Sequence, residues 1–281
     1  MIQHTINVNG KLLSLSPTVV MGIINITPDS FYARSRANNE EAIRNRVCQI
    51  VEEGGGIIDV GAYSSRPDAC EVSQDEEMKR LRTGLRIIRD TNSTLPISVD
   101  TFRADVARMC VEEYGVSIIN DISAGQLDSN MFHTVAQLQV PYIMMHMRGT
   151  PQTMQQQTTY QNLVTEMFLY FSSRINQLRE LGLNDIIIDP GFGFAKTLEQ
   201  NYELLQRMDD FQELNVPVLV GMSRKSMIYN LLGITPEEAL NGTTIVNTIA
   251  LMKGAAILRV HDVRSCVEAV TIFEKMKDTT L

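Results

Sequence analysis

The chain has 281 residues, 44% of them hydrophobic, and its 25 Lys and Arg against 33 Asp and Glu give a net charge of -8. That length suits one α/β barrel or two modest domains, and an acidic balance without a Lys/Arg-dense run excludes a nucleic-acid scaffold. No positively charged leader runs into an apolar stretch and nothing approaches a membrane span, so a cytoplasmic protein is expected. The four cysteines, Cys48, Cys70, Cys110 and Cys266, lack CxxC spacing and predict buried free thiols in a reducing compartment.

Residues 5–8 and 11–15 flank Asn9-Gly10, a pair suited to a type I′ turn because both positions need φ > 0. They predict an N-terminal β-hairpin, at about residues 4–16, closing one end of the fold. A strand over 18–25 ends in Asn25, and a helix is predicted over 40–54. The next strand, 57–61, contains Asp59. Ser73-Gln74-Asp75-Glu76 reads as a capping box opening another helix.

A strand at 97–99 ends in Asp100, with a helix over 104–114 behind it. The strand 116–119 ends in Asn120-Asp121, and 141–145 ends in His146. A long helix at about 159–181 leads to Ile186-Ile187-Ile188, three β-branched residues without polar alternation, as in a strand buried on both faces. Asp189, Pro190, Gly191 and Gly193 stop it abruptly. The strand 216–222 ends in Ser223-Arg224-Lys225-Ser226, and Thr235-Pro236-Glu237-Glu238 predicts a helix with Pro at its first position. The strand 255–260 ends around Arg259 and His261, before a last helix over 263–277.

Eight strands, each followed by a polar loop and a helical segment, imply parallel pairing and right-handed crossovers. A glycine fingerprint after the first strand of an open sheet is absent. The expected architecture is α/β, a (β/α)8 TIM barrel in one domain over residues 1–281, with the hairpin at its bottom.

A barrel gathers the strand ends into one crater. Asp100, Asn120 and Asp189 supply acceptors and an amide, suited to a flat heterocycle presenting amino and ring N–H donors. Asn25, Ser223, Arg224, Lys225, Arg259 and His261 join strands seven, eight and one, where barrels place phosphate. The Asn25 side-chain oxygen beside phosphate suits Mg²⁺, which takes few protein ligands and several waters. Each residue alone has a structural explanation: Asp59 and Asp121 as loop caps, His146 as a satisfied core imidazole, Lys225 as a solvated helix-start lysine. Eight polar ends together predict an active site.

Met21–Phe31 (Met-Gly-Ile-Ile-Asn-Ile-Thr-Pro-Asp-Ser-Phe), Ser64-Ser65-Arg66-Pro67, Ser98-Val99-Asp100-Thr101, Asn120-Asp121, Met145-His146-Met147-Arg148-Gly149, Asp189-Pro190-Gly191-Phe192-Gly193-Phe194, Gly221-Met222-Ser223-Arg224-Lys225-Ser226 and Arg259-Val260-His261 stand in the order found in dihydropteroate synthases. The chain resembles that family from about residue 19 to 263. The resemblance implies a barrel, usually dimeric, that condenses 6-hydroxymethyl-7,8-dihydropterin pyrophosphate with p-aminobenzoate in folate synthesis, and that is a sulfonamide target. It implies that Asp100, Asn120, Met145, Asp189, Gly221 and Lys225 hold the pterin. Asn25, Arg66, Arg259 and His261 would take the pyrophosphate, with Mg²⁺ at Asn25. Phe31, Ser65, Arg66, Pro67, Phe194 and Ser226 would form the p-aminobenzoate site, the loops after the first two strands closing over it. The catalytic group would be Asn25, Asp100, Asp189, Lys225, Arg259 and His261.

Tyr63 stands where the family usually has Glu, Ser65 where it usually has Thr, and residues 32–36 lack the usual glycines. Three alternatives remain: a corrinoid-dependent pterin methyltransferase, a Schiff-base aldolase using Lys225, and a catalytically silent pterin-binding paralogue.

Overall fold

The computed structural model describes residues 4–26, 36–63 and 72–279. Strands β1 (Thr5–Val8) and β2 (Lys11–Ser14) pair antiparallel from Thr5↔Ser14 to Val8↔Lys11. Asn9 and Gly10 take φ of 50° and 80°, as the I′ turn requires. The Asn9 amide reaches past the turn, donating to Ser117 Oγ at 2.9 Å and Gly115 O at 3.2 Å, and so fastens the hairpin to the barrel.

Eight parallel strands follow: β3 (Val19–Asn25), β4 (Ile57–Gly61), β5 (Ile97–Asp100), β6 (Ile118–Asp121), β7 (Tyr142–Met145), β8 (Ile186–Asp189), β9 (Leu219–Val220) and β10 (Ile257–Val260). Helices α1 (Arg36–Glu52), α2 (Gln74–Thr91), α3 (Ala104–Tyr114), α4 (Met131–Leu138), α5 (Leu163–Glu180), α6 (Leu198–Gln206), α7 (Ser226–Leu232), α8 (Leu240–Met252) and α9 (Val263–Asp278) lie between and after them. The sheet order is β8-β7-β6-β5-β4-β3-β10-β9. Its two ends meet through one parallel bridge, Ile188↔Val218, where Ile188 N donates to Pro217 O at 3.0 Å. This is the expected (β/α)8 barrel.

The alternation of each strand sorts its residues. Outward-facing Ile58, Val60, Val99, Ile119, Tyr142, Ile188 and Leu258 are buried against the helices. Inward-facing Met21, Ile57, Ile118, Ile143, Ile187, Leu219 and Ile257 form an apolar layer that Ile6, Val8 and Leu15 of the hairpin seal from below. Two residues on, the same strands present Asp59, Asn120, Asp189 and Arg259 to the interior.

Local differences from expectation have local causes. Strand β9 has only two residues, since Pro217 has no N–H for a ladder and Lys225 N turns back to Met222 O. The short helix α7 follows at once, with Lys225 just before its first residue. Thr235-Pro236 does not start a helix. Pro236 lies in a turn, Thr235 N is taken by Glu238 Oε2 at 2.9 Å, and α8 begins at Leu240. In α2, Ser73 accepts from Glu76 N as a cap should, but the Glu76 carboxylate turns to Arg80 at 2.8 Å. Cys110 and Cys266 are buried thiols, whereas Cys48, on the outer face of α1, is exposed.

Candidate active site

On most barrel strands the last inward residue, where the ladder ends, is a polar side chain that emerges into the crater. On β4 that residue is Asp59, fully buried between Ile58 and Val60. It accepts from Arg259 Nε of β10 at 2.6 Å, and Asn120 Nδ2 of β6 lies 3.4 Å from both its oxygens. Arg259 Nη2 continues to Asp100 Oδ2, on β5, at 3.2 Å. One guanidinium thus spans two carboxylates from adjacent strands. Burial works against its charge, but Asp59, Asp100 and Asp189 more than restore it, and its pKa lies above the ordinary arginine value. Burial pushes the Asp100 carboxyl up to about 7, against the pull of Arg259 and with repulsion from Asp59, Glu77 and Asp121.

On the opposite wall, Asp189 is 7% exposed, and its Oδ1 accepts from Gly191 N at 2.8 Å. Burial raises its pKa, against attraction from Lys225 and the Gly191 hydrogen bond. The Lys225 ammonium donates to Phe192 O and lies 4.5 Å from the centre of the Phe194 ring. Burial lowers its pKa to about 8, with Asp189 opposing. Met145 packs with Met147, Ile122, Met154 and Ala195, against Phe102 and Phe194, into an apolar wall between these two groups of charges. Gly221 closes the ring beside Arg259: a Cβ there would meet Arg259 Cβ at 3.8 Å.

The anion side is assembled from β3, β9 and β10. His261 Nδ1 lies 3.1 Å from Ser223 Oγ, and its backbone N–H donates to the same oxygen. Although solvent reaches the residue, the surrounding wall pushes the imidazole pKa down to about 4, and the Arg259 charge adds to this. The shift favours the neutral ring, which Ser223 Oγ meets at Nδ1. Ser226 opens α7, half-buried. Asn25 is exposed at the end of β3. Its Oδ1 and Asp100 Oδ2 stand 3.6 and 3.9 Å from where a Gly61 Cβ would be, so the missing side chain leaves a small oxygen-lined gap. Among the described residues no three His, Cys, Asp or Glu gather as a metal cage. One amide oxygen and one carboxylate oxygen beside open space fit Mg²⁺ in the form it usually takes, with waters and phosphate completing its shell.

Several expected site residues belong elsewhere. Arg224 does not face the crater: its guanidinium makes two hydrogen bonds to Asp262, at 2.8 and 2.9 Å, and others to Pro236 O and Glu237 O. Asp121 is spent on its own loop, taking Ser123 N and Oγ, Gly125 N and the Tyr142 hydroxyl. His146 is a core imidazole, 2% exposed. Phe31, Ser65, Arg66 and Pro67, with the loops expected to close, lie outside the described residues. Two residues gain weight that their sequence positions did not give them. Asp59, one of the eight polar strand ends but with no role assigned to it, holds Arg259; an acid at an inward position of an otherwise apolar strand was the available signal. Lys196, 3% exposed under the loop after β8, has no signal in the sequence at all.

The family model described as "Pterin binding enzyme" matches residues 21–261. The dihydropteroate synthase of Escherichia coli is 40% identical over 267 residues, 94% of each chain. That of Haemophilus influenzae is 38% identical, covering 95% of this chain and 96% of its own. Among solved structures, the dihydropteroate synthase of Yersinia pestis with a sulfonamide drug complex superposes with a TM-score of 0.91 at 36% identity, covering 98% of this chain and 100% of that one. The dihydropteroate synthase of Xanthomonas albilineans with 4-aminobenzoic acid gives 0.90 at 35% identity, covering 98% and 99%.

Proposed function

Since this chain belongs to the dihydropteroate synthase family of pterin-binding enzymes, transferases of folate synthesis, we propose that it condenses 6-hydroxymethyl-7,8-dihydropterin pyrophosphate with p-aminobenzoate, giving 7,8-dihydropteroate and pyrophosphate. The observation that carries the proposal is the convergence of Asp100, Asn120, Asp189, Lys225 and Arg259 on one crater beside the Met145 wall. Asp189 and Asn120 meet the donor edge of the pterin, and Met145 covers its face. Lys225 and Gly221 complete that pocket. A charge-assisted pair of hydrogen bonds from a flat amino heterocycle to a buried carboxylate is strong and directional.

Departure of pyrophosphate breaks the CH₂–O bond and leaves its electron pair on oxygen. The positive charge left on the CH₂ spreads into the pterin, next to Asp100. Arg259, His261, Asn25 and Arg66 receive the leaving anion. The amine of p-aminobenzoate then supplies an electron pair to the CH₂ and releases a proton to solvent. Phe194 and Ser226, with Phe31, Ser65, Arg66 and Pro67, hold that second substrate. The protein acts by fixed charges and dipoles, with no covalent nucleophile. Bound beside Asn25, Mg²⁺ would neutralise pyrophosphate charge and so favour its departure.

We also propose that a second copy covers the apolar face of α7, α8 and α9, where Leu231, Leu232, Ile245, Met252 and Ile272 are exposed, giving a homodimer in the cytoplasm. No helix among the described residues is long and apolar enough to cross a membrane. The test of function is a coupled assay of pyrophosphate release. Release should be fast only when p-aminobenzoate and Mg²⁺ are both present, and dihydropteroate should form in equal amount. Release without that product would point to a hydrolase.

A further inference from the structure

We propose that Lys196 is a positioning residue for the p-aminobenzoate side of this site, tying together the loop that carries Phe194 and the Phe192 carbonyl; this rests on the function proposed above. The loop after β8 has φ of +68° at Gly191, +81° at Gly193 and +49° at Ala195, a course held from outside where Asn201 Oδ1 accepts from Gly193 N at 2.6 Å and the Tyr160 hydroxyl donates to Ala195 O at 2.9 Å. Beneath it lies the Lys196 ammonium, 3% exposed, with Gly191 O and Phe194 O at 3.0 Å each and His146 Nδ1 at 3.2 Å. Burial lowers its pKa to about 7, with Asp189 opposing; in its ammonium form it has three donors, and here it has three acceptors. Two of them are the ends of the same turn, also joined by Phe194 N to Gly191 O at 3.1 Å.

The third acceptor needs His146 to be neutral with its proton on Nε2. Burial and the neighbouring cations hold its pKa well below the ordinary histidine value, which fits. His146 is pressed against the loop, since a Cβ on Gly191 would fall 2.2 Å from His146 O. Burying a lysine is costly, and no carboxylate hydrogen-bonds this one among the described residues. What the loop presents is functional: Phe192 O takes the Lys225 ammonium, and the Phe194 ring lies under it. Asp189, at the near end, is held by β8 itself; at the far end Asn201 and Tyr160 hold Gly193 N and Ala195 O, while Lys196 bonds both Gly191 O and Phe194 O from beneath.

Lys196→Met keeps the length and packing of the side chain and removes its donors. Its KM for p-aminobenzoate should rise about tenfold while the Kd for dihydropterin pyrophosphate, by calorimetry, stays within about threefold. The Gly193 and Phe194 amides should exchange with deuterium faster, a readout that needs no turnover. His146→Phe keeps the ring but removes the acceptor, and should give a smaller shift in the same direction. His146→Asn, whose oxygen can stand in for Nδ1, should restore the parent KM. An unchanged p-aminobenzoate KM with unchanged exchange overturns the proposal, as does an equal loss for both substrates. If Lys196→Met does not fold, the two His146 variants decide by the same criteria. Failure of the parent enzyme to form dihydropteroate would instead overturn the function, with the exchange result still judging the loop.

Discussion

Two layers of side chains fill this barrel, and only two residues of strand separate them. In the lower one Ile57, Ile118 and Ile187 meet across the axis under the hairpin. In the upper one the same strands offer Asp59, Asn120 and Asp189. The lower layer is apolar and closed, whereas nearly every resolved pKa in the upper one is displaced by burial: Asp100 and Asp189 up, Lys225 and His261 down. The contrast shows a division of labour by height. Stability is made where water is absent and every group is apolar, and the stability lost above by holding charges half-desolvated is set against it.

The sharpest way to break the contrast is to move a charge down one step. Ile187→Asp places a carboxylate in the lower layer with no partner, and should cost about 4 kcal/mol or more of stability. Urea denaturation should show little or no folded baseline; a loss below about 1 kcal/mol would mean the layer is not sealed. The reverse change, Asp189→Asn, should weaken dihydropterin pyrophosphate binding by about 2–5 kcal/mol while leaving the urea midpoint unchanged or raised. Calorimetry beside denaturation separates the two effects, and unaltered affinity would remove Asp189 from the pocket.

A gentler probe is pH. With the Asp100 carboxyl at about 7, a ligand needing it ionised should bind about tenfold tighter at pH 8 than at pH 6. The sign for stability is opposite. The folded state holds this proton more tightly than the unfolded one, so the Asp100 contribution falls as pH rises from the ordinary carboxylate range to about 7, then levels off. Titrating affinity and urea midpoint over that window should show the affinity trend lost and the stability trend reduced in Asp100→Asn, since burial raises Asp189 as well.

The smallest effect belongs to the bottom. Asn9→Ala removes the two hydrogen bonds to Gly115 and Ser117 at a position with φ of 50°. It should lower stability by about 1–2 kcal/mol and leave both KM values alone. A changed KM would mean that the two layers are coupled.

The lower layer was easier to foresee than the upper. Alternation and β-branched runs such as Ile186-Ile187-Ile188 depend on near neighbours, and they placed the strands correctly to within a few residues. Asp100, Asn120 and Asp189 were legible because a polar residue stops an apolar run. The partners of each charge were not legible, since Arg259 and Asp59 are 200 positions apart and Arg224 faces Asp262 only because of a turn at φ of 54°. Lys196 was hidden for the same reason: a lysine in a glycine-rich loop looks solvated until the loop folds over it.

The single bridge between β8 and β9 has a mechanical consequence. Elsewhere neighbouring strands share two or more registered pairs, but here one bridge, Ile188↔Val218, spans the joint. Hoop strain in a closed cylinder collects at its least-riveted joint. This one runs between the strand that bears Asp189 and the strand that leads to Lys225. An opening of the ring at this joint would widen the gap between those two charges before it disturbed any wall that shares two or more registered pairs.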